Sequence, residues 1–207
     1  QIGGMPFIAL RAHSLSKPRS TLKRTIELLY LTIGLVPLML IATFVGGYVR
    51  LLVGRNIIYR QERTGKFGQS FMMLKFRTMT ENAEIDTGVI KAQHKDERVV
   101  KGLDWIRKTR LDEIPQFVNV LKGEMSIIGP RPERPDFTNQ YQLEIPGYER
   151  RHDIAPGITG LAQVKGRYHT DPAYKLGHDL QYLVNWSPIL DIQILFQTIW
   201  TILVRRP

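Results

Sequence analysis

The feature that most limits the fold of this chain is an uncharged segment at residues 28–49, which reads LLYLTIGLVPLMLIATFVGGYV. Its 22 residues match the length that an α-helix needs to cross a bilayer, roughly 20 residues. A soluble core helix is the alternative, but such helices seldom lack charges on every face for about six turns. A secretory signal would have a shorter apolar stretch and a small-residue cleavage site, and nothing downstream indicates one. The segment therefore predicts a helix embedded in a membrane.

Basic residues flank this segment on both sides. They are Lys17, Arg19, Lys23 and Arg24 before it, and Arg50, Arg55, Arg60, Arg63 and Lys66 after it. Because basic flanks mark the cytoplasmic side, a simple crossing would leave one group in the wrong compartment. Pro37 lies near the middle and favours a helix that breaks, dips into the bilayer and returns. We therefore expect a re-entrant helix broken at Pro37, with a kinked spanning helix as the alternative.

The rest of the chain is predicted to be α+β and mainly helical. Residues 1–22 are interpreted as a linker-like segment, 23–53 as the re-entrant membrane helix, and 54–207 as a cytoplasmic domain. Because residue 1 is Gln and not Met, we expect the sequence to be a piece of a longer protein. The β-rich runs at 57–61 and 71–76 flank a glycine-containing turn and predict a hairpin. A polar loop is predicted at 80–98 and a short helix around 99–111.

The best-defined helix outside the membrane segment is predicted to begin near Glu113. Asp112 can cap it, Pro115 suits its first turn, and Gly123 suits the position after its end. Its predicted buried face consists of Ile114, Phe117, Val118 and Leu121.

Glycine and proline organise the remaining part of the chain. The stretch SIIGPRPERP predicts turns, residues 134–144 predict a helix, and residues 155–167 predict mostly loop. Residues 173–203 predict helix with a break at 186–188. The last helix, followed by Arg205 and Arg206, is typical of an amphipathic helix on a membrane surface. A terminal helix packed on the core is the alternative.

Charge and composition limit the chemistry. The net charge of +10 and the pI of about 9.9 indicate anionic partners. The chain has no cysteine, which excludes disulfides and thiolate metal sites. Its five histidines have no paired spacing for zinc, and no GxGxxG, GxxxxGK[ST] or serine-elbow motif occurs.

Two adjacent carboxylates, Asp112 and Glu113, precede the predicted helix. Simple capping explains such a pair, because acids favour the positive end of a helix dipole. A helix N-terminus also attracts phosphate, which two carboxylates would repel unless a divalent cation lay between them. Mg²⁺ or Mn²⁺ held by one carboxylate and by phosphate oxygens removes this conflict. The other carboxylate could then attack phosphorus as a nucleophile.

Three basic residues are candidate phosphate ligands. Arg131 lies between two prolines in GPRP, which stiffens its backbone, although an ordinary turn with an exposed arginine is the alternative. Lys75 and Arg77 would share one face of a strand, unless this is simply a solvated edge strand. Asp179 and Asp191 lie in the C-terminal helical region, where acids are usually solvated.

Several strings in this chain resemble the bacterial sugar transferase family of monotopic phosphoglycosyl transferases. They are KFRTM (75–79), RKTRLDEIPQFVNVLKGEMSIIGPRPE (107–133), PGITGLAQV (156–164) and NWSPILDI (185–192). The resemblance covers residues 23 to 204. Residues 2–15 resemble the linker that enters the catalytic domain of larger members. A departure is Val36-Pro37, where the family often has Ser-Pro.

The resemblance implies transfer of a sugar 1-phosphate from a UDP-sugar to polyprenyl phosphate, with both ends of the membrane helix cytoplasmic. Asp112 matches the family's nucleophile, which forms a phosphosugar–aspartyl intermediate and releases UMP. Glu113 matches the acid that helps to bind Mg²⁺. Other matched polar positions of the family site are Lys75, Arg131, Arg167 and Asp179, and the three cations are expected to contact phosphate.

Two other functions stay open from the sequence. One is a membrane-anchored basic module that binds nucleic acid or anionic lipid. The absence of an RNA-binding signature disfavours it, and no nucleic acid partner is expected. The other is a metal-dependent UDP-sugar hydrolase with water as acceptor. The expected location is the cytoplasmic face of a bacterial plasma membrane. The sequence leaves homo-oligomerisation open and does not identify the sugar.

Overall fold

The computed structural model describes residues 15–80, 98–166 and 171–204. It is mainly helical, with two small two-stranded sheets in this part of the chain. The helices are α1 (Lys17–Val53), α2 (Asp104–Lys108), α3 (Gln116–Lys122), α4 (Pro135–Glu144), α5 (Leu161–Lys165), α6 (Pro172–Asn185) and α7 (Pro188–Val204). The strands are β1 (Ile58–Thr64), β2 (Ser70–Phe76), β3 (Ser126–Ile128) and β4 (Gly157–Thr159), and 3-10 turns cover Lys66–Gly68, Leu111–Glu113 and Tyr148–Asp153.

Helix α1 is a single helix of 37 residues, about 55 Å long at 1.5 Å per residue. It begins at Lys17, because Pro18 suits a first helical turn, so the end of the predicted linker is helical. It runs through Pro37 without interruption, and the predicted break at that residue is wrong. The proline removes one backbone donor, and the flanking apolar turns keep the remaining hydrogen bonds, as they often do in membrane helices.

The two ends of α1 pack against the rest of the protein, whereas its middle does not. Lys23, Glu27 and Leu31 are buried near one end, and Val45 and Val49 near the other. Between them, large apolar side chains are exposed on all sides: Ile33, Leu35, Val36, Met39, Leu40, Ile41 and Phe44. The most apolar window has a mean hydropathy of 2.3 and is only 11% buried, which contradicts the soluble core helix. By length and composition, α1 could span a membrane.

The predicted hairpin is confirmed. Strands β1 and β2 pair antiparallel, and Tyr59 lies opposite Lys75. Arg77 lies just beyond the end of β2, and its backbone N–H donates to the Ile57 carbonyl at 2.8 Å. The predicted loop at 80–98 falls almost wholly outside the described residues.

Helix α3 differs from its prediction at its start and in its buried face. Asp112 and Glu113 lie in the preceding 3-10 turn, Pro115 is at the N-cap position, and no side chain caps the helix. Capping by Asp112 is therefore not observed. The C-terminal prediction is confirmed, because Gly123 ends α3 with a left-handed φ of 82°.

The buried residues of α3 are Gln116, Asn119 and Val120. The Asn119 side chain accepts from the Leu74 N–H at 3.0 Å and donates to the Met72 carbonyl at 2.9 Å, which ties α3 to β2. This polar contact turns the helix, so Val118 and Leu121 of the predicted buried face are 45% and 53% exposed. Ile114 and Phe117 are partly buried.

The start of the SIIGPRPERP stretch and the glycine-rich stretch after residue 155 each contribute one strand to a second sheet, which the turn and loop predictions missed. Strands β3 and β4 are parallel and only three residues each. At Gly157, a Cβ atom would lie 2.1 Å from the Gly129 nitrogen. The glycines therefore allow two backbones to approach closely, and α5 follows directly where loop was predicted.

The other helix predictions have mixed outcomes. The helix around 99–111 is limited to α2, because Arg110 adopts a left-handed φ of 58°. The helix at 134–144 is confirmed as α4, and the break at 186–188 is confirmed between α6 and α7. In α7, Asp191 and Ile194 are buried, whereas Ile189, Phe196 and Trp200 are 64–70% exposed. One face of α7 thus packs on the core and the other is apolar and exposed.

Basic and acidic residues of α1 join it to the other elements. Arg24 donates to the last carbonyls of α3, Val120 at 2.7 Å and Leu121 at 3.0 Å. Lys23 lies 2.9 Å from Glu27 and 3.2 Å from Asp191 of α7. The N-terminal half of α1 is therefore fixed to both α3 and α7.

Candidate active site

The Asp112–Glu113 pair lies on the 3-10 turn between α2 and α3. Arg110 at the start of this turn has a positive φ, which is uncommon for a residue with a side chain and costs on the order of 1 kcal/mol. The left-handed residue reverses the chain after α2 and directs the turn toward the end of β2, where Lys75 lies.

Glu113 is surrounded by cations and is only 7% exposed. Its Oε1 atom lies 3.2 Å from both Lys75 Nζ and Arg131 Nη2, and its Oε2 atom lies 3.9 Å from Arg110 Nη1. Burial alone would raise the pKa of Glu113, but Lys75, Arg131 and Arg110 outweigh it and hold the pKa well below its usual range. Glu113 is therefore ionised at every physiological pH.

Asp112 has a different environment although it is the next residue. Within the described ranges, its half-buried carboxylate has no hydrogen bond and no ion pair. Burial, followed by repulsion from Glu113, raises the pKa of Asp112 to about 6, despite Lys75, Arg107 and Arg131 nearby. Glu113 is thus neutralised by ion pairs, whereas the Asp112 carboxylate is unpaired in this part of the chain and more basic. Asp112 is therefore the better nucleophile of the two.

Lys75 and Arg131 join Asp112 and Glu113 in one group. Burial lowers the pKa of Lys75, while Glu113 favours its charged form. The Arg131 side chain is 41% exposed, so its guanidinium contacts Glu113 and still faces solvent. An anion entering from solvent would meet both cations beside Asp112.

Other predicted site residues lie elsewhere. Arg77 lines a cavity of about 270 Å³ with Arg55 and Asn56 near the end of α1. Asp179 is 2% exposed and is ion-paired with Arg151 at 2.8 Å, so the expectation that it is solvated is wrong. Asp191 is equally buried, at 4% exposure. Arg167 lies outside the described residues, and Pro37 lies in the exposed middle of α1.

The sequence interpretation missed Arg107 of α2. It contributes to the electrostatic environment of Asp112, and its Nη1 atom is buried with no hydrogen-bond partner in the described part of the chain. Two arginines, Arg107 and Arg110, in the string RKTRLDE immediately before the acids were the available signal. With Lys75 and Arg131, they give four cations around two carboxylates.

The acidic pair fits a divalent cation only if substrate completes the coordination. In the residues that the structure covers, no group of three or more potential metal ligands occurs. Mg²⁺, however, is usually held by one or two carboxylates together with phosphate oxygens and water. The pKa of Asp112 is raised partly by the charge of Glu113, and a cation between these carboxylates would offset that repulsion.

Comparisons with known proteins agree with one family. Residues 18–205 match the family model described as bacterial sugar transferase. The chain is 44% identical over 188 residues to UDP-N-acetylgalactosamine-undecaprenyl-phosphate N-acetylgalactosaminephosphotransferase of Aeromonas hydrophila, covering 88% of this chain and 44% of that protein. It is 38% identical over 205 residues to UDP-glucose:undecaprenyl-phosphate glucose-1-phosphate transferase of Klebsiella pneumoniae, covering 97% and 44%.

A shorter relative is similar along nearly its whole length. The uncharacterized sugar transferase EpsL of Bacillus subtilis is 37% identical over 185 residues, covering 89% of each chain. By contrast, this chain spans less than half the length of the Aeromonas and Klebsiella proteins.

Proposed function

Because the chain belongs to the bacterial sugar transferase family, we propose that it transfers a sugar 1-phosphate from a UDP-sugar to polyprenyl phosphate and releases UMP. The observation that carries this proposal is the unequal acidic pair. Glu113 is neutralised by three cations, whereas Asp112 has no ion-pair partner in the described residues. The names of the Aeromonas and Klebsiella relatives give undecaprenyl phosphate and a UDP-sugar as their substrates, which supports both substrate classes.

The proposed reaction has two displacements at one phosphorus atom. A carboxylate oxygen of Asp112 attacks the sugar-linked phosphorus of the UDP-sugar, and the bond to UMP breaks with its electron pair leaving on UMP. A phosphate oxygen of the lipid then attacks the phosphosugar–aspartyl intermediate. The bond to Asp112 breaks, the carboxylate is regenerated, and polyprenyl diphosphosugar is the product.

The surrounding cations support the binding of a diphosphate. Lys75, Arg107, Arg110 and Arg131 outnumber the two carboxylates, and the excess positive charge would be balanced by the donor. Asp112 and Glu113 would hold Mg²⁺ or Mn²⁺, which when bound supplies further neutralisation of the phosphate charge. The residues of this chain would orient the donor so that its phosphorus faces Asp112.

We further propose a re-entrant topology at the plasma membrane, with the catalytic residues on the cytoplasmic face. Both ends of α1 pack on the folded part of the chain, in one core cluster near β3 and α7 and in a second core cluster near β2 and α2. A single folded unit lies on one side of a bilayer, so both ends of α1 should lie on that side. The exposed apolar middle would then dip into the lipid as a bent but uninterrupted helix, and Pro37, which lacks a backbone donor, is where α1 would bend.

The reaction is tested with purified protein, Mg²⁺, a panel of UDP-sugars, and polyprenyl phosphate present or absent. We expect UMP release with at least one donor and lipid-linked product only with the acceptor. Without acceptor, intact-mass analysis should detect one phosphosugar on the protein, and Asp112→Asn should show none. Continuous sugar-phosphate release without lipid would instead identify a hydrolase. Nucleic acid binding without any UDP-sugar turnover would identify a basic binding module.

The topology is tested with single-cysteine variants, which the cysteine-free sequence allows without background. Cysteines at positions 20 and 55 should both react with a membrane-impermeant thiol reagent only from the cytoplasmic side. Labelling of position 55 from the opposite side would contradict the re-entrant topology and favour a spanning helix.

A further inference from the structure

The backbone that carries Arg131 is held by an unbroken row of four carbonyl contacts. Each carbonyl from residue 130 to 133 accepts a hydrogen bond, and the donors come from three separate parts of the fold. The contacts are Gly157 N to Pro130 O (2.8 Å), Arg151 Nη2 to Arg131 O (3.0 Å), Arg63 Nη1 to Pro132 O (3.1 Å) and Thr64 N to Glu133 O (2.9 Å).

Proline explains why this row consists of acceptors. Pro130 and Pro132 have no N–H, so the Pro-Arg-Pro unit has a single backbone donor and cannot join an ordinary ladder on both sides. Its carbonyls are therefore the groups by which the fold can hold it. Two of the four donors are arginine side chains, Arg63 from β1 and Arg151 from the 3-10 turn Tyr148–Asp153.

Arg151 is the more rigid of these two donors, because it is 3% exposed and its guanidinium is fully engaged. Its Nε and Nη2 atoms lie 2.9 and 2.8 Å from Asp179 Oδ2, and its Nη1 atom donates to the Tyr148 hydroxyl. Since this charge is already matched by a buried carboxylate, neither member of the pair is available to neutralise a ligand.

We propose that Arg151, held by Asp179, is a positioning residue that fixes the Arg131 backbone so that the Arg131 guanidinium reaches Glu113 and the donor diphosphate. This inference rests on the proposed function and deepens it. It also changes the interpretation of Asp179 from a substrate-binding residue to the anchor of Arg151. The prolines limit the conformation of the segment, and Arg151 sets its location relative to the acidic pair.

The test is a double-mutant cycle between Arg151→Lys and Arg131→Ala. Lysine keeps a positive charge beside Asp179 and loses the hydrogen bond that Arg151 Nη2 donates to the Arg131 carbonyl. We expect Arg151→Lys to lower kcat/KM for the UDP-sugar by about 100-fold, because small misplacements of a positioned group have effects of that size. In the Arg131→Ala background the same change should have less than a twofold effect, since there is no guanidinium left to misplace. Arg150→Lys, an exposed change on the same turn, is the matched control and should keep wild-type activity.

The same cycle is measured with inorganic pyrophosphate as the ligand, by calorimetry on the folded protein. We expect Arg151→Lys to weaken pyrophosphate binding about tenfold only where Arg131 is present. Equal losses in both backgrounds, or no loss, would overturn the positioning role. If wild-type protein turns over no UDP-sugar, the proposed function fails, while the pyrophosphate cycle still decides the role of Arg151.

If Arg151→Lys does not fold, Arg63→Lys replaces it in the cycle, because this change removes the contact to the Pro132 carbonyl. We expect Arg63→Lys to show the same coupling with Arg131→Ala. Additive losses from these two changes would overturn the role of the carbonyl contacts.

Discussion

Two clusters of polar and charged residues differ in how completely their carboxylates are paired. The anchor cluster consists of Lys23, Glu27, Ser126, Tyr182, Trp186 and Asp191, and the site cluster of Lys75, Asp112, Glu113 and Arg131. In the anchor cluster, Asp191 accepts from Lys23 at 3.2 Å, the Tyr182 hydroxyl at 2.6 Å and the Trp186 indole at 3.0 Å. Glu27 accepts from Ser126 and from the Ile127 N–H, and lies beside Lys23.

The site cluster contains a carboxylate without such partners. Glu113 takes the available cations, whereas Asp112 takes none in the described ranges. A fully satisfied buried network fixes a structure, because every change leaves a charge or dipole unpaired. An incompletely satisfied one keeps reactivity at the cost of local stability. The comparison thus separates a cluster that holds helices together from one that can do chemistry, and mutations should distinguish them.

The largest expected effect is loss of turnover in Asp112→Asn. The amide cannot attack phosphorus, so UMP release should fall by at least about 10³-fold. The melting temperature should stay the same or rise slightly, since Asp112 has no hydrogen-bond or ion-pair partner to lose among the described residues and its repulsion from Glu113 disappears. Paired activity assays and thermal unfolding check this. Full UMP release by Asp112→Asn would contradict the nucleophile assignment.

Asp191→Ala is expected to lower the stability of the protein and to leave its activity unchanged, the opposite of Asp112→Asn. The change to alanine leaves the Trp186 N–H without its acceptor, the Lys23 ammonium with Glu27 alone and the Tyr182 hydroxyl with the Ile128 carbonyl alone. This loss of buried contacts should lower the free energy of unfolding by about 3 kcal/mol. Activity per folded molecule should be near that of the wild type well below the melting temperature. Asp104→Ala, an exposed acid in the first turn of α2, is the control and should cost less than about 0.5 kcal/mol. If Asp191→Ala lost activity without losing stability, the proposed difference between the two clusters would be contradicted.

An effect of intermediate size is expected for Glu113→Gln, which should change how the rate of UMP release depends on pH. Asp112 reacts only when ionised, so the rate should fall as the pH falls through its raised pKa of about 6. Glutamine removes the neighbouring negative charge that helps to raise this pKa, and the acid limb of the rate profile should move to lower pH. Pre-steady-state UMP release against pH measures the shift. In Glu144→Gln, on the exposed end of α4, the acid limb should stay in place, and an unmoved limb in Glu113→Gln would contradict the coupling.

The smallest effect is expected for Tyr182→Phe in the anchor cluster. The change removes the hydroxyl that donates to Asp191 and lies 3.2 Å from the Ile128 carbonyl, and should cost about 1–2 kcal/mol. Denaturant unfolding in one detergent measures this loss. Tyr174→Phe on the same helix, where the side chain is 51% exposed, should be neutral within about 0.5 kcal/mol. Equal effects of the two changes would mean that the hydrogen bonds to Asp191 add little.

The sequence predicted the elements whose signals are local. The apolar run of α1, the β-hairpin, the left-handed end of α3 at Gly123 and the break between α6 and α7 all follow from residues that are close in the chain. The buried face of α3 does not, because Asn119 packs inward only when β2 offers a free N–H and carbonyl. Strands β3 and β4 are too short for a periodic pattern, and their glycines resemble loop until the partner strand is known.

For the site, the sequence predicted which residues take part but not how their environments differ. The acidic pair, Lys75 and Arg131 could be named from the sequence, and the structure brings them together. The inequality between Asp112 and Glu113 was not visible there, since adjacent residues have the same local context and differ only in what the fold places around them. Asp179 illustrates the same point, because a helical acid looks solvated until Arg151 is found buried beside it.

The way α1 is buried at both ends has a practical consequence for producing this protein. Leu31 belongs to one hydrophobic core cluster, Val45 and Val49 belong to another, and Arg24 holds the last carbonyls of α3. A fragment that starts after Gly54 would therefore lose core side chains and leave Asp191 without Lys23. Helix α1 is therefore part of the fold and cannot be removed as a tag. A more soluble version of the protein should keep the whole of α1 and replace its exposed apolar residues between 32 and 44 with polar ones.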